Sequence, residues 1–117
     1  MTLTAQTPSG PVFQALEVAL ELIRALRRPV ALVRRKSTRL AVQLENAASS
    51  VAANVGEGNR RLGRDRGHLF RVAAGSAEEV RTHLRVAEAW GYLCREDTAA
   101  ALALCDRELA MLWRLSR

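Results

Sequence analysis

The sequence predicts an all-α fold, an antiparallel up-down-up-down four-helix bundle. Three observations carry that expectation. Apolar residues return at intervals of three and four along four separate stretches, and no stretch alternates at the strand period of two. Phe, Trp and Tyr make up only 4% of the chain, and β-branched residues are sparse beside Ala, Leu and Arg, a mixture that favours helix. Three prolines and seven glycines are too few for the many tight turns of a sandwich or barrel. At 117 residues, 49% apolar and 26% charged, the chain is long enough for one globular core and too short for two. The expected organisation is a disordered segment over residues 1–10 followed by a single domain over 11–117.

The first helix begins after Thr7-Pro8-Ser9-Gly10, with Pro11 suited to the first helical position. Val12, Phe13, Leu16, Ala19, Leu20, Ile23 and Leu26 form its apolar stripe, with Gln14, Glu17, Glu21, Arg24 and Arg28 opposite. Pro29 interrupts the pattern and is expected to separate Val30–Lys36 as a further turn or two. The second helix runs from about Arg39 to about Glu57, capped by Ser37 or Thr38. Leu40, Leu44, Ala47, Ala48, Val51 and Val55 make its buried face, and the small residues at its centre admit a close helix neighbour. Gly56 and Gly58 are expected to release the chain, with Gly63 in the connection. The third helix starts near Asp65, buries Phe70, Ala73, Ala74, Ala77, Val80, Leu84 and Ala87, and closes at Trp90-Gly91-Tyr92 with Gly91 as the C-terminal cap. The fourth runs from about Asp97 to Leu115 with a seam of Leu102, Cys105, Leu109 and Leu112. Helices one and four carry apolar residues beyond the stripe a lone bundle needs, so a homo-oligomer is expected.

Several function classes are disfavoured at once. The fully apolar run Ala99–Cys105 is seven residues, against the roughly 20 needed to span a bilayer. Residues 1–10 carry no cation and lead into no signal-peptide core, so the expected location is cytoplasmic. Cys94 and Cys105 match no metal-binding spacing and are read as reduced, Cys105 within the core. Val30–Arg39 lacks the apolar face and aromatic anchors of a membrane-surface helix. No cofactor is expected. Asp65-x-x-His68 and the Glu79–His83 pair fall short of the ligand set of a carboxylate-bridged metal bundle, so no metal is expected either.

Charge is the stronger signal. Eighteen Lys and Arg oppose 12 acids, a net charge of +6. Arg24, Arg27, Arg28, Arg34, Arg35, Lys36 and Arg39 form a block without an acid, and Arg60, Arg61, Arg64, Arg66 and Arg71 face Asp65 alone. The rest of the chain is therefore acidic. Two basic segments on a bipolar molecule suit nucleic-acid phosphates, and Arg34, Arg35, Lys36, Arg39, Arg60, Arg61, Arg64 and Arg66 are the candidate contacts with RNA or DNA. Because the start of the second helix and the turn after it fall at opposite ends of an antiparallel bundle, two basic rims are expected rather than one patch. Aromatic residues are scarce near both rims, so stacking on single-stranded bases is expected to add little.

Two further stretches are more specific. Gln43-Leu44-Glu45-Asn46-Ala47-Ala48-Ser49-Ser50 through Asn54-Val55-Gly56-Glu57-Gly58, and Ala73-Ala74-Gly75-Ser76-Ala77-Glu78-Glu79 followed by Trp90-Gly91-Tyr92-Leu93, together resemble a family of four-helix bundles. It is the family first met as products of intervening sequences in bacterial 23S ribosomal RNA genes, which reads QLRRAxxSxxxNIAEG and then AxGSxxE. The resemblance spans about residues 12 to 115. It implies a left-handed up-down bundle in a ring-like homopentamer, no established enzymatic activity, and kinship to the accessory variability proteins of diversity-generating retroelements, whose pentamer binds a reverse transcriptase and its RNA. Gln43, Asn54, Glu57, Gly58, Gly75, Ser76 and Glu79 are the motif residues, expected to act structurally. With the second hairpin turning near Gly63, Ser50 should meet Ser76, and Asn54 should lie near Ala73 or Ala74. Glu45 and Asn46 stand where the family has arginines, which removes two cations from the second helix.

Two alternatives belong to other classes. One is a protein-binding scaffold without nucleic-acid contact. The other is a ribonuclease, because Arg61 and His68 match the Arg-x4–6-His spacing of HEPN-type helical ribonucleases, in which Arg stabilises phosphorane charge and His moves the proton.

Overall fold

The computed structural model describes residues 10–117, so the disordered segment expected over 1–10 falls, but for Gly10, outside the described residues. Four helices make up the fold: α1 Pro11–Arg34, α2 Thr38–Gly58, α3 Gly63–Ala89 and α4 Arg95–Leu115. They form an all-α four-helix bundle in which α1 packs on α2 and α4, and α3 packs on α2 and α4.

Pro11 occupies the first turn of α1, where its missing N–H costs nothing. Pro29 does not end the helix, contrary to the sequence expectation: α1 continues through it to Arg34. A proline inside a helix gives up one backbone bond and crowds the preceding turn. Here Pro29, Val30 and Val33 are all buried, and their packing offsets that loss. Ser37, rather than Thr38, caps α2, its hydroxyl accepting from the Leu40 N–H at 3.1 Å.

The small-residue face of α2 lies as expected, with Leu44, Val51 and Val55 fully buried and Ala47 and Ala48 nearly so. Gly58 serves packing rather than exit. It is buried at the last position of α2, and a Cβ there would sit 2.7 Å from Phe70 Cε1. The left-handed residue is Gly63, with φ +63°, at the start of α3. Helix α3 ends in the cap predicted around Gly91. With φ +80° at Gly91, its N–H donates to Glu88 O and the Tyr92 N–H to Ala87 O, both at 2.9 Å, the pattern of a Schellman turn.

Helix α4 corrects the expected seam. Its buried residues are Thr98, Ala101, Cys105, Glu108, Leu109 and Leu112, while Leu102 and Leu104 are only half-buried. The interior divides into two clusters. One joins Val30, Val33, Leu40, Leu84, Ala87 and Leu93 with Ala101 and Cys105. The other gathers Val51, Val55, Leu109 and Leu112 with Ala15, Ala19 and Ala73 around Phe70. Among the described residues the large exposed apolar side chains are Val42 on α2, Val72 and Val86 on α3, Trp113 on α4, and Leu62 and Trp90 beside the ends of α3, so none lies on α1. Half-exposure of Leu16, Leu20 and Ile23 is what remains of the wide stripe read on α1. Among the described residues no helix is long and apolar enough to cross a membrane.

Candidate functional site

The first basic segment sits on the turn between α1 and α2. Arg34 is the last residue of α1, and Lys36 and Ser37 fold back to donate backbone N–H groups to Val33 O, both at 2.8 Å. This tight turn holds Arg34, Arg35, Lys36 and Arg39 on the outside, all exposed. Arg34 is neutralised by Glu45, at 2.7 Å across the turn. Among the described residues Arg35, Lys36 and Arg39 have no ion-pair partner.

The second basic segment is more self-contained. Arg61 donates through Nε and Nη2 to the same Glu57 oxygen, at 3.1 and 2.8 Å, and Arg60 lies 3.9 Å from the other. Hydrogen bonding from Arg61, with its charge, holds the Glu57 carboxyl below its ordinary pKa, and Glu57 in turn raises Arg61. Arg66 is half-buried, its guanidinium 5.4 Å from the centre of the Phe70 ring. Arg64 alone of the four is exposed without a partner among the described residues. Glu57, Arg61, Asp65, His68 and Leu69 line a shallow depression of about 240 Å³. The fold thus places Arg61 and His68 together, but with the guanidinium engaged by one carboxylate and a second, Asp65, on the same rim.

Of the motif residues, Asn54 and Ser76 form a polar seam with Ser50 between α2 and α3. Ser50 and Ser76 meet Oγ to Oγ at 2.8 Å, the register expected from a turn at Gly63. Asn54 donates to Ser50 O at 2.8 Å and Ser50 Oγ at 3.0 Å, which completes a small network across the two helices. Gln43, Gly75 and Glu79 are exposed, and Glu79 lies 3.4 Å from His83. A side chain at Gly75 would meet open space, and its backbone is ordinary, so nothing within one chain requires glycine there.

Three features escaped the sequence reading. An open groove of about 440 Å³ runs between α1 and α2, floored by Ile23, Leu26, Val30 and Ala48 and edged by Arg27, Glu45 and Ser49. Trp90, 69% exposed, stacks on Tyr92 with ring centroids 6.2 Å apart and planes at 14°. Glu108 is fully buried, and among the described residues neither carboxylate oxygen has a hydrogen-bond partner. Its signal was present: Thr98, Ala101, Cys105, Glu108 and Leu112 keep a strict three-four spacing, which puts position 108 inside whatever its residue type. Among the described residues no three metal-binding side chains gather.

Comparison with known families matches residues 13–114 to the family described as 23S rRNA-intervening sequence protein. No curated protein matches the chain, and no solved structure does.

Proposed function

The chain belongs to the 23S rRNA-intervening sequence protein family, and from that premise we propose a non-enzymatic, self-assembling up-down-up-down bundle that binds nucleic-acid phosphates. The observation that carries the proposal is the set of exposed cations Arg35, Lys36 and Arg39, on the turn after α1 and the first turn of α2, which have no ion-pair partner among the described residues. Cations already neutralised inside the protein release few counterions on meeting a polyanion, whereas unpaired ones supply the electrostatic free energy of binding. The rim around Arg60, Arg61, Arg64 and Arg66 contributes less, because Glu57 and Phe70 already engage three of its four arginines. The engagement of Arg61 by Glu57 likewise favours a structural ion pair over ribonuclease chemistry at Arg61 and His68.

Self-association, as a homopentamer, draws support from the exposed Val42, Val72 and Val86 and from the open space beside Gly75, which lets a second backbone approach closely. A ring repeats the Arg35–Lys36–Arg39 rim on every subunit, so weak contacts along one polymer combine.

Fluorescence anisotropy with labelled RNA and DNA across a salt series tests the reading. Log K should fall by about 0.7–0.9 per phosphate contact for each unit of log salt. Replacing Arg35, Lys36 and Arg39 by Gln should lower both affinity and slope, and replacing Arg60, Arg61 and Arg64 should lower them less. Absence of binding at low salt, or binding indifferent to the first triple substitution, leaves a protein-binding scaffold as the better reading, with the groove between α1 and α2 as its first candidate surface.

A further inference from the structure

The end of the bundle that carries Arg35, Lys36 and Arg39 also carries Trp90. Val33 and Leu40, which flank the α1–α2 turn, share one buried cluster with Ala87 and Leu93, which flank the α3–α4 turn, and Tyr92 packs against that cluster. The Arg28–Asp97 ion pair, 2.8 Å long, ties the late turns of α1 to the first turn of α4. Sequence distance conceals this arrangement, because the aromatic pair lies more than fifty residues beyond the cations.

Trp90 is not needed where it stands. The end of α3 is made by Gly91 and backbone hydrogen bonds to Ala87 and Glu88, and an indole left 69% exposed covers no core of its own chain. It is nonetheless stacked on Tyr92, which is half-buried and packs against the interior cluster. The charge nearby is one-sided. Glu45, Glu88 and Asp97 each have an arginine partner, and Glu96 is the one acid of that end without one among the described residues. Arg35, Lys36, Arg39 and Arg95 have no acidic partner there. A pre-stacked aromatic face at the same end of the bundle as unpaired cations matches a ligand that offers flat rings and phosphates together. Bases inside a duplex are stacked on one another, so only unpaired bases present such a face.

We infer that Trp90, backed by Tyr92, is a stacking platform for an unpaired base of a single-stranded nucleic acid whose phosphates cross Arg35, Lys36 and Arg39. The inference rests on the phosphate-binding reading above and adds to it the class of nucleic acid. Base–aromatic stacking adds an affinity that is insensitive to salt, whereas the rim supplies the salt-dependent part.

The test uses the full chain carrying Trp113→Phe, so that the remaining indole emission comes from Trp90. The probes are a single-stranded oligonucleotide, an abasic strand of the same length, and a duplex of the same sequence. The single strand should quench Trp90 emission and bind roughly ten-fold or more tighter than the abasic strand. Trp90→Ala should remove that advantage with the salt slope unchanged, and Trp90→Phe should keep most of it. Equal binding of all three probes, without quenching and indifferent to Trp90→Ala, overturns the inference and leaves the phosphate rim standing. No binding of any probe at low salt overturns both. A fall in assembly mass on Trp90→Ala, with nucleic-acid binding retained, shows instead that a second copy of the chain covers the indole.

Discussion

At the scale of single residues, Glu108 and Gly58 are the positions with the clearest consequences. Glu108 lies at an interior position of α4 with both carboxylate oxygens unpartnered among the described residues, and burial pushes its pKa up to about 8, opposed only by the charge of Arg107. The fully buried Cys105 one turn earlier is pushed up to about 12, chiefly by burial. A carboxyl whose folded pKa exceeds its unfolded value of 4.5 contributes stability below the unfolded pKa and loses it as pH rises through the folded one. Between about pH 5 and pH 8 the protein should therefore lose stability on the order of a few kcal/mol, while Glu108→Gln should remove that slope. His68 and His83 are common to both variants, so the difference between two melting-temperature profiles isolates Glu108. Parallel profiles would show that the carboxyl finds a partner or water. Gly58→Ala places a methyl 2.7 Å from the Phe70 ring, and such overpacking typically costs about 1–3 kcal/mol, readable as a drop in urea midpoint.

At the scale of elements, the pairing of α2 with α3 was readable because its two serines stand symmetrically about Gly63, thirteen residues to either side. The Ser50–Ser76 bond should appear as a coupling of about 0.5–1.5 kcal/mol in a double-mutant cycle of the two alanine variants, and additive effects would show that the bond contributes nothing net. Harder to read was α1, where a proline rule for isolated helices met a buried proline whose neighbours Val30 and Val33 hold the last turns in the core. The site shows the same limit. The α1–α2 turn could be marked as basic from the sequence, but the cancellation of Arg34 by Glu45 depends on how two helices are set side by side. Glu45→Gln should release Arg34, raising nucleic-acid affinity and steepening the salt slope by up to about 0.9; an unchanged slope would place Arg34 outside the contact.

At the scale of the whole molecule, the proposed self-association rests on the exposed valines of α2 and α3. A homopentamer should scatter light as a species of five 12.9 kDa chains at micromolar concentration, and a concentration-independent single-chain mass ends that reading. Val72→Glu adds a charge at a position 38% exposed in one chain. It should dissociate the assembly, while the subunit's own stability moves by no more than about 0.5 kcal/mol, as for most surface substitutions. Leu115 is a poorer choice, because it packs against the interior cluster around Phe70 and its loss damages the subunit itself.

Periodicity determined four helices and the buried faces of α2 and α3, because helix formation and amphipathic burial depend on residues a few positions apart, and those are adjacent in the sequence. The family resemblance came from two motifs at a set separation, and the match over residues 13–114 bears it out. The tertiary structure alone decided which charges remain available and which aromatic ring stays exposed at the same end. Glu45 reaches Arg34, Glu57 engages Arg61, and Trp90 shares an end of the bundle with Lys36. Ion pairs and surface neighbours are set by distances between helices, and the spacing of residues along one helix carries no record of them.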